Sequence, residues 1–505
     1  MRRDIGDVMR HGALACGHAI TADAVETILR EKGNAADAAI AGAFAAMVAE
    51  PVLAGLLGGG FCMLAEGREA RLLDFFVQTP REKRRDAELR EIKADFGTTT
   101  QRFHIGAGSV ATPGLVPGLF ELHARAGRLP LTALAEPAIA AARAGVEVTP
   151  YQARLGQIVA PILAATEEAR GLFCEGDQPL SAGAVRRNPD FADVLDVLTR
   201  EGPRFATEGE IAAALLASTG AAGHLTAADL RRYRPVWRAP LRLARRGTEI
   251  AANPAPAMGG VLVSFALGCL DPAPGPSAIA RALAATDAAR LAANDLPEPL
   301  LDPAWRAAFL KQMADHPSSP RGTTHISVID AEGRGAALTL SNGEGAGMIA
   351  PGTGIMPNNM LGEADLIPGA AEDDWLSWPV DTRLASMMCP MVCRGPAGEL
   401  TLLGSGGSNR IRSALTHVLV NLIDRDLPLE EAIAAPRLHA EGAALDVETA
   451  GLAEADLPAL RAGWPELTEW PEPSMFFGGV HAVRLGARGA SAAGDARRAG
   501  VARIL

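Results

Sequence analysis

The sequence predicts an α/β protein, helix-rich in its N-terminal part and strand-rich in its C-terminal part. Three observations carry this. Alanine-rich stretches of helical length recur between residues 20 and 315. After Thr323 the texture changes to short β-branched segments with two-residue alternation, at 323–330, 335–341, 391–394, 399–404 and 478–485. Strand signals also occur early, at 61–65 and 71–76, so one sheet is expected to draw on both parts.

Composition bounds the function. A chain of 505 residues holds two or three ordinary domains or one large one, and no internal repeat is visible. Hydrophobic content of 48% and charged content of 21% are those of a soluble globular protein. The net charge of −11 argues against nucleic acid and against an anionic membrane surface as partners. Lysine is rare and arginine carries nearly all the positive charge, a pattern that goes with the high alanine content. The six cysteines are scattered, and Cys62 and Cys269 sit in apolar runs, as buried free thiols do. Cys389 and Cys393 have no second pair or nearby histidine to complete a zinc site, and no metal or organic cofactor is implied. Residues 1–8 carry basic side chains but no apolar signal core, and no run is long enough to span a bilayer. A cytoplasmic location is the expectation.

Taken in order, the first helix starts near Thr21 and is interrupted at Lys32-Gly33-Asn34. The second, Ala35 to Val48, is apolar nearly all round and should be buried. Gly58-Gly59-Gly60 then leads into a strand, where glycine signals tight backbone approach. A phosphate loop would need a Lys-Ser/Thr ending, which is missing. Residues 80–104 are charged and read as loop. Helices are expected at 115–126, 133–144, 153–165, 190–200, 208–217 and 226–232. A single strand follows at 241–252, then helices at 259–270, 278–294 and 303–315. Two more helices, 408–424 and 428–434, interrupt the later strands, and 362–376 is acidic and expected to be exposed.

The junction at Gly322-Thr323 follows a polar Pro317-Ser318-Ser319-Pro320 loop and opens a strand. Read alone, it is a strand that starts with two threonines, since β-branched residues are common there. With the bond intact Thr323 is a weak nucleophile. With the bond cut, its hydroxyl lies within reach of its own α-amine, which titrates near ~7.7–8 and can serve as the base.

Seven pieces, quoted in order, now carry a resemblance: Gly33-Asn34-Ala35-Ala36-Asp37-Ala38, Leu57-Gly58-Gly59-Gly60-Phe61, Gly108-Ser109-Val110-Ala111-Thr112-Pro113-Gly114, Thr323-Thr324-His325-Ile326-Ser327-Val328, Asn358-Asn359-Met360, Gly404-Ser405-Gly406-Gly407-Ser408 and Gly494-Asp495-Ala496-Arg497-Arg498. From about His11 to Val501 the chain resembles the γ-glutamyltransferases (glutathione hydrolases), which are N-terminal-nucleophile hydrolases. The resemblance implies an αββα sandwich and self-cleavage at Gly322-Thr323. It would give a large fragment, 1–322, and a small one, 323–505, that stay packed together.

By the same resemblance Thr323 is the nucleophile, and Gly406 and Gly407 are the oxyanion glycines. Ser341 is the hydroxyl that orients it, with Thr339 as the alternative. Asn342, Asn359, Glu363 and Ser386 match substrate contacts. The substrate is a small γ-glutamyl or related amide, and water or an amino acid accepts the acyl group. Two departures bear on that substrate. Relatives that use glutathione carry an arginine for the α-carboxylate where Phe76 stands here, and phenylalanine makes no bidentate contact to carboxylate. A glutamine of the family is Met360. Arg383 or Arg410 is the candidate replacement cation. The leading expectation is a γ-glutamyl hydrolase or transferase. An amidase acting on a glutaryl-type amide and an unprocessed, inactive ligand-binding relative are the alternatives.

Overall fold

The computed structural model describes residues 9–95, 100–293, 300–302, 304, 322–362 and 378–505. Two large antiparallel sheets pack face to face. Their strands, in chain order, are β1 (Gly12–Cys16), β2 (Gly59–Glu66), β3 (Glu69–Phe75), β4 (Val236–Arg238), β5 (Leu241–Arg245), β6 (Thr248–Ala252), β7 (Thr324–Asp330), β8 (Gly335–Ser341), β9 (Met391–Arg394), β10 (Leu400–Gly406), β11 (Gly479–Gly486), β12 (Gly489–Ala493) and β13 (Val501–Ile504). The first sheet runs β4-β3-β2-β8-β7-β1-β13 and the second β5-β6-β9-β10-β11-β12. Each therefore joins strands from before and after Thr323, as the sequence led us to expect for one sheet.

Strand β7 is central because its two faces serve two cores. Side chains alternate across a strand. Ile326 and Val328, with Leu338 and Leu340 of β8, face the helices. Ile329 faces the second sheet with Leu402 and Leu403. Helices α1 (Ala19–Arg30), α2 (Ala35–Ala49), α3 (Leu115–Ala126) and α4 (Leu131–Ala144) cover the outer face of the first sheet. Helices α5 (Gly259–Gly268), α6 (Pro276–Ala292) and α7 (Arg410–Leu419) cover that of the second. The layers are thus helix, sheet, sheet, helix. Every residue of α2 is buried, and a capping box between Asn34 and Asp37 starts it. The triple glycine does mark close approach: a Cβ on Gly60 would stand 2.4 Å from the Thr339 carbonyl of β8.

Two expectations need correction, and one small sheet had none. Residues 80–104 are not all loop, since Arg90–Asp95 and Thr100–Ile105 form an antiparallel strand pair. Its charges face outward while Ile92, Phe103 and Ile105 pack on Ile158 and Ile162, and the dense charge hid the pattern. The single strand at 241–252 is the hairpin β5–β6. Its turn at Arg246 and Gly247 has φ of 48° and 81°, the two positive values a tight hairpin favours. The small sheet of Leu438–Glu441, Ala444–Glu448 and Glu466–Trp470 went unread. The helix expected at 303–315 and nearly all of the acidic segment at 362–376 lie outside the described residues.

Candidate active site

Thr323 stands at the mouth of β7, one position beyond the Thr324↔Leu340 pair, so Ser341 at the end of β8 lies opposite it. Both hydroxyls converge on one atom. Thr323 Oγ1 donates to the Gly322 carbonyl oxygen at 2.7 Å, and Ser341 Oγ donates to the same oxygen at 2.7 Å. Ser341 Oγ is itself fixed by the Gly343 N–H at 3.1 Å. On the other side of Gly322, its N–H donates to Glu344 Oε1 at 2.8 Å. Thr339 is two residues earlier on β8, on the same face. Its hydroxyl pairs with His325 Nδ1 at 2.8 Å, not with the Gly322-Thr323 bond. Burial, then His481, holds His325 well below its usual pKa, so its ring is neutral.

The second sheet contributes the turn after β10. A Cβ on Gly406 would lie 2.1 Å from the Thr323 carbonyl oxygen, so only glycine allows this approach. Gly407 at φ +120° and Ser408 at φ +63° then turn the chain into α7. Backbone N–H groups at such a turn and helix start favour a developing anion. Arg498 reaches the same turn, with its guanidinium nitrogens 3.3 and 3.1 Å from where Cβ atoms of Gly406 and Gly407 would be.

A cleft with about 550 Å³ of open volume runs up to Gly322 and Gly407. Its walls are largely apolar, from Leu53, Phe103, Leu155, Val159 and Met475, and its polar side chains are Glu344, Ser408, Arg410 and Arg498. Arg410 lies 4.1 Å over the ring of Phe476, and its Nε has no hydrogen-bond partner among the described residues. Burial pushes its pKa down to about 10, which leaves it charged at neutral pH. Behind β7, on the helix side, Glu50 Oε1 accepts from Thr324 Oγ1 at 3.1 Å. Burial pushes Glu50 up to about 7, although Thr324 and Arg498 pull the other way.

The remaining candidate residues stand back from the cleft and hold the structure around it. Asn359 Oδ1 accepts the N–H groups of Glu344 and Gly345 at 2.9 and 3.2 Å, so it shapes the turn that carries Glu344. Asn342 Nδ2 donates to the Met356 carbonyl at 3.1 Å. The Ser386 carbonyl accepts from Met258 and Gly259 at the start of α5 (2.9 and 3.1 Å). Arg383 pairs with Asp74 at 3.5 Å, donates to the Phe76 carbonyl and the Tyr233 hydroxyl, and stacks 4.5 Å over the Tyr233 ring. Phe76 stacks on Phe61 at 5.5 Å inside the core. None of these five lines the cleft. Glu363 lies outside the described residues. Sequence reasoning passed over Glu344 and Glu50. The signals were there: a lone acid closing an apolar helix, and another in the glycine-rich turn after the strand that pairs with Thr323.

A threonine at the mouth of an inner strand of an αββα sandwich, its hydroxyl against the preceding carbonyl, defines an N-terminal-nucleophile hydrolase. Residues 21–505 match the Gamma-glutamyltranspeptidase family, and the chain belongs to it. It is 32% identical to the acylase ACY 1 proenzyme of Pseudomonas sp. (strain V22), over 94% of this chain and 89% of that protein. It is 28% identical to the glutathione hydrolase proenzyme of Pseudomonas aeruginosa, over 85% of this chain and 82% of that protein. The fold is shared with the cephalosporin acylase of Bacillus halodurans at a TM-score of 0.82 and 23% identity, covering 98% of this chain and 95% of that one.

Proposed function

We propose that the chain is the precursor of an N-terminal-threonine amide hydrolase that cuts its own Gly322–Thr323 bond. It then removes from an amide an acyl chain that ends in a carboxylate, of the γ-glutamyl or glutaryl type. The observation that carries this is the Gly322 carbonyl oxygen, which accepts from both Thr323 Oγ1 and Ser341 Oγ.

In the self-cleavage, Thr323 Oγ adds to the Gly322 carbonyl carbon while Ser341 donates to the oxygen that gains charge. The C–N bond breaks, the Thr323 nitrogen takes the proton, and the glycyl group is left as an ester on Oγ. Water releases it, which separates fragments 1–322 and 323–505 and frees the α-amine. In turnover that amine takes the proton from Oγ as Oγ attacks the substrate carbonyl. The oxyanion meets the turn at Gly406-Gly407, the leaving amine takes the proton, and water or an acceptor amine discharges the acyl-enzyme.

The anionic acyl chain is supported by Arg410, a buried guanidinium whose Nε has no hydrogen-bond partner among the described residues, in a cleft with largely apolar walls. The glutaryl side of the reading is favoured by Phe76. It fills core space where a relative using glutathione would need a guanidinium. Purified protein is expected to run on a denaturing gel as two bands, and Thr323→Ala as one near 52.4 kDa. A single persistent wild-type band, or two bands from the variant, would overturn the reading. γ-Glutamyl and glutaryl anilides assayed side by side then rank the two acyl groups.

A further inference from the structure

The precursor shows what the acyl site accepts, because it already holds an acyl group there. During self-cleavage the ester on Thr323 Oγ is a glycyl ester of Gly322. This is the same linkage that a substrate acyl group would form, so the groups that touch Gly322 touch the acyl chain of a substrate. Two features read that chain. Glu344 Oε1 accepts the Gly322 N–H at 2.8 Å, two atoms from the carbonyl carbon. A Cβ on Gly322 would stand 3.0 Å from the Gly343 carbonyl oxygen and 3.5 Å from Leu53 Cδ2, so a branch on the carbon next to the carbonyl presses on the Gly343 oxygen and an unbranched CH₂ fits best. Glu344 and Leu53 both line the cleft, and the backbone N–H of Glu344 is pinned by Asn359, so the carboxylate has a fixed mount.

We propose that the processed enzyme has a further activity on N-acylglycyl amides, with Glu344 as the residue that selects them. This rests on the self-cleavage and acyl transfer through Thr323 set out above. In the reaction Thr323 Oγ loses its proton to the α-amine and bonds to the glycyl carbonyl carbon. The bond to the amine breaks, and the departing amine takes that proton. Water then splits the ester, giving the N-acylglycine and restoring the hydroxyl. Throughout, the Glu344 carboxylate accepts the glycyl N–H. A buried acceptor built for an N–H discriminates against an analogue without it, because the acceptor is then left unpaired.

The test uses four anilides with the autoprocessed wild-type enzyme. These are N-acetylglycyl, N-acetyl-L-alanyl, 4-oxopentanoyl (the glycyl chain with CH₂ in place of N–H), and glutaryl as a reference. The glycyl anilide is expected to exceed both the alanyl and the oxopentanoyl compound by about ten- to a hundredfold in kcat/KM. Glu344→Ala should bring the glycyl-to-oxopentanoyl ratio down about tenfold or more, while Glu344→Gln, whose amide oxygen still accepts, should keep most of it. Ratios within one preparation do not depend on how much of it is processed. Equal turnover of the glycyl and oxopentanoyl compounds, or a ratio untouched in Glu344→Ala, overturns the inference. So does turnover of glutaryl anilide without any of the glycyl one, which leaves the amide hydrolase reading standing. Turnover of none of the four overturns the inference, and refusal of γ-glutamyl anilide as well sinks the amide hydrolase reading with it.

Discussion

Ser341 and Thr339 sit two residues apart on one strand face, and only the first touches the Gly322–Thr323 peptide. Ser341→Ala removes a donor from the Gly322 oxygen. Loss of one such donor costs about 10²–10³ in rate. Self-cleavage followed by gel over time should slow by that order, with intact protein accumulating. Thr339→Val instead removes the partner of His325 Nδ1. It should leave the cleavage rate near wild type and lower stability by about 1–2 kcal/mol, read from the denaturant midpoint. If Thr339→Val stalls cleavage and Ser341→Ala does not, the roles are reversed. Glu50 adds a pH effect. Its folded pKa, about 7, lies above the ordinary 4.5. The protonated form is therefore favoured by folding. That stabilisation is fully present below pH 4.5 and is lost as pH rises through about 7. Relative to Glu50→Gln, the wild type should lose on the order of 3 kcal/mol across that window, measured by urea midpoints in a Thr323→Ala background. A flat difference would mean that Glu50 titrates normally. Thr323, Gly406 and Gly407 were legible because each lies in a contiguous motif. Glu50 and Glu344 were not, because their contacts join residues 274 and 22 positions apart in the chain.

At the scale of elements, helix α2 shows how far local sequence reaches. Its span and its burial on all sides follow from an apolar run with no polar stripe. Its anchoring does not. Asp37 closes the cap on Asn34 and also accepts the Arg128 N–H at 2.9 Å from the far side of the helical layer. Asp330, at the end of β7, accepts the Ala35 N–H at 3.0 Å, so the helix start and β7 are tied together. Asp37→Ala strands one buried and one partly buried backbone donor at once. It should cost about 2–4 kcal/mol in the denaturant midpoint, while Asp37→Asn, which still caps, should cost less than half of that. Equal losses in the two variants would mean that charge, not hydrogen bonding, holds the cap. The strand pairs at 90–105 and 241–252 were misread for the opposite reason. Charge density masked the first, and a turn with no glycine at its first position hid the second.

For the whole molecule, the sheet order decides what self-cleavage does to folding. In the first sheet β7 and β8 lie between β2 and β1, and β13 closes the edge against β1. In the second, β5 and β6 from before Thr323 extend a sheet whose other strands come after it. Neither fragment owns a complete sheet. Cleavage therefore leaves the native contacts in place and changes only the unfolded state, from one chain to two. Folding the processed enzyme is then an association, and its stability carries a concentration term of about 1.4 kcal/mol per tenfold. Thr323→Ala, still one chain, carries none. Processed enzyme and Thr323→Ala should elute at the same native size. On dilution from denaturant at several concentrations, the refolding yield and midpoint of the processed enzyme should fall as concentration falls, while those of the variant stay constant. Processed protein that refolds independently of concentration would mean that one fragment folds alone, which the interleaved strand order forbids.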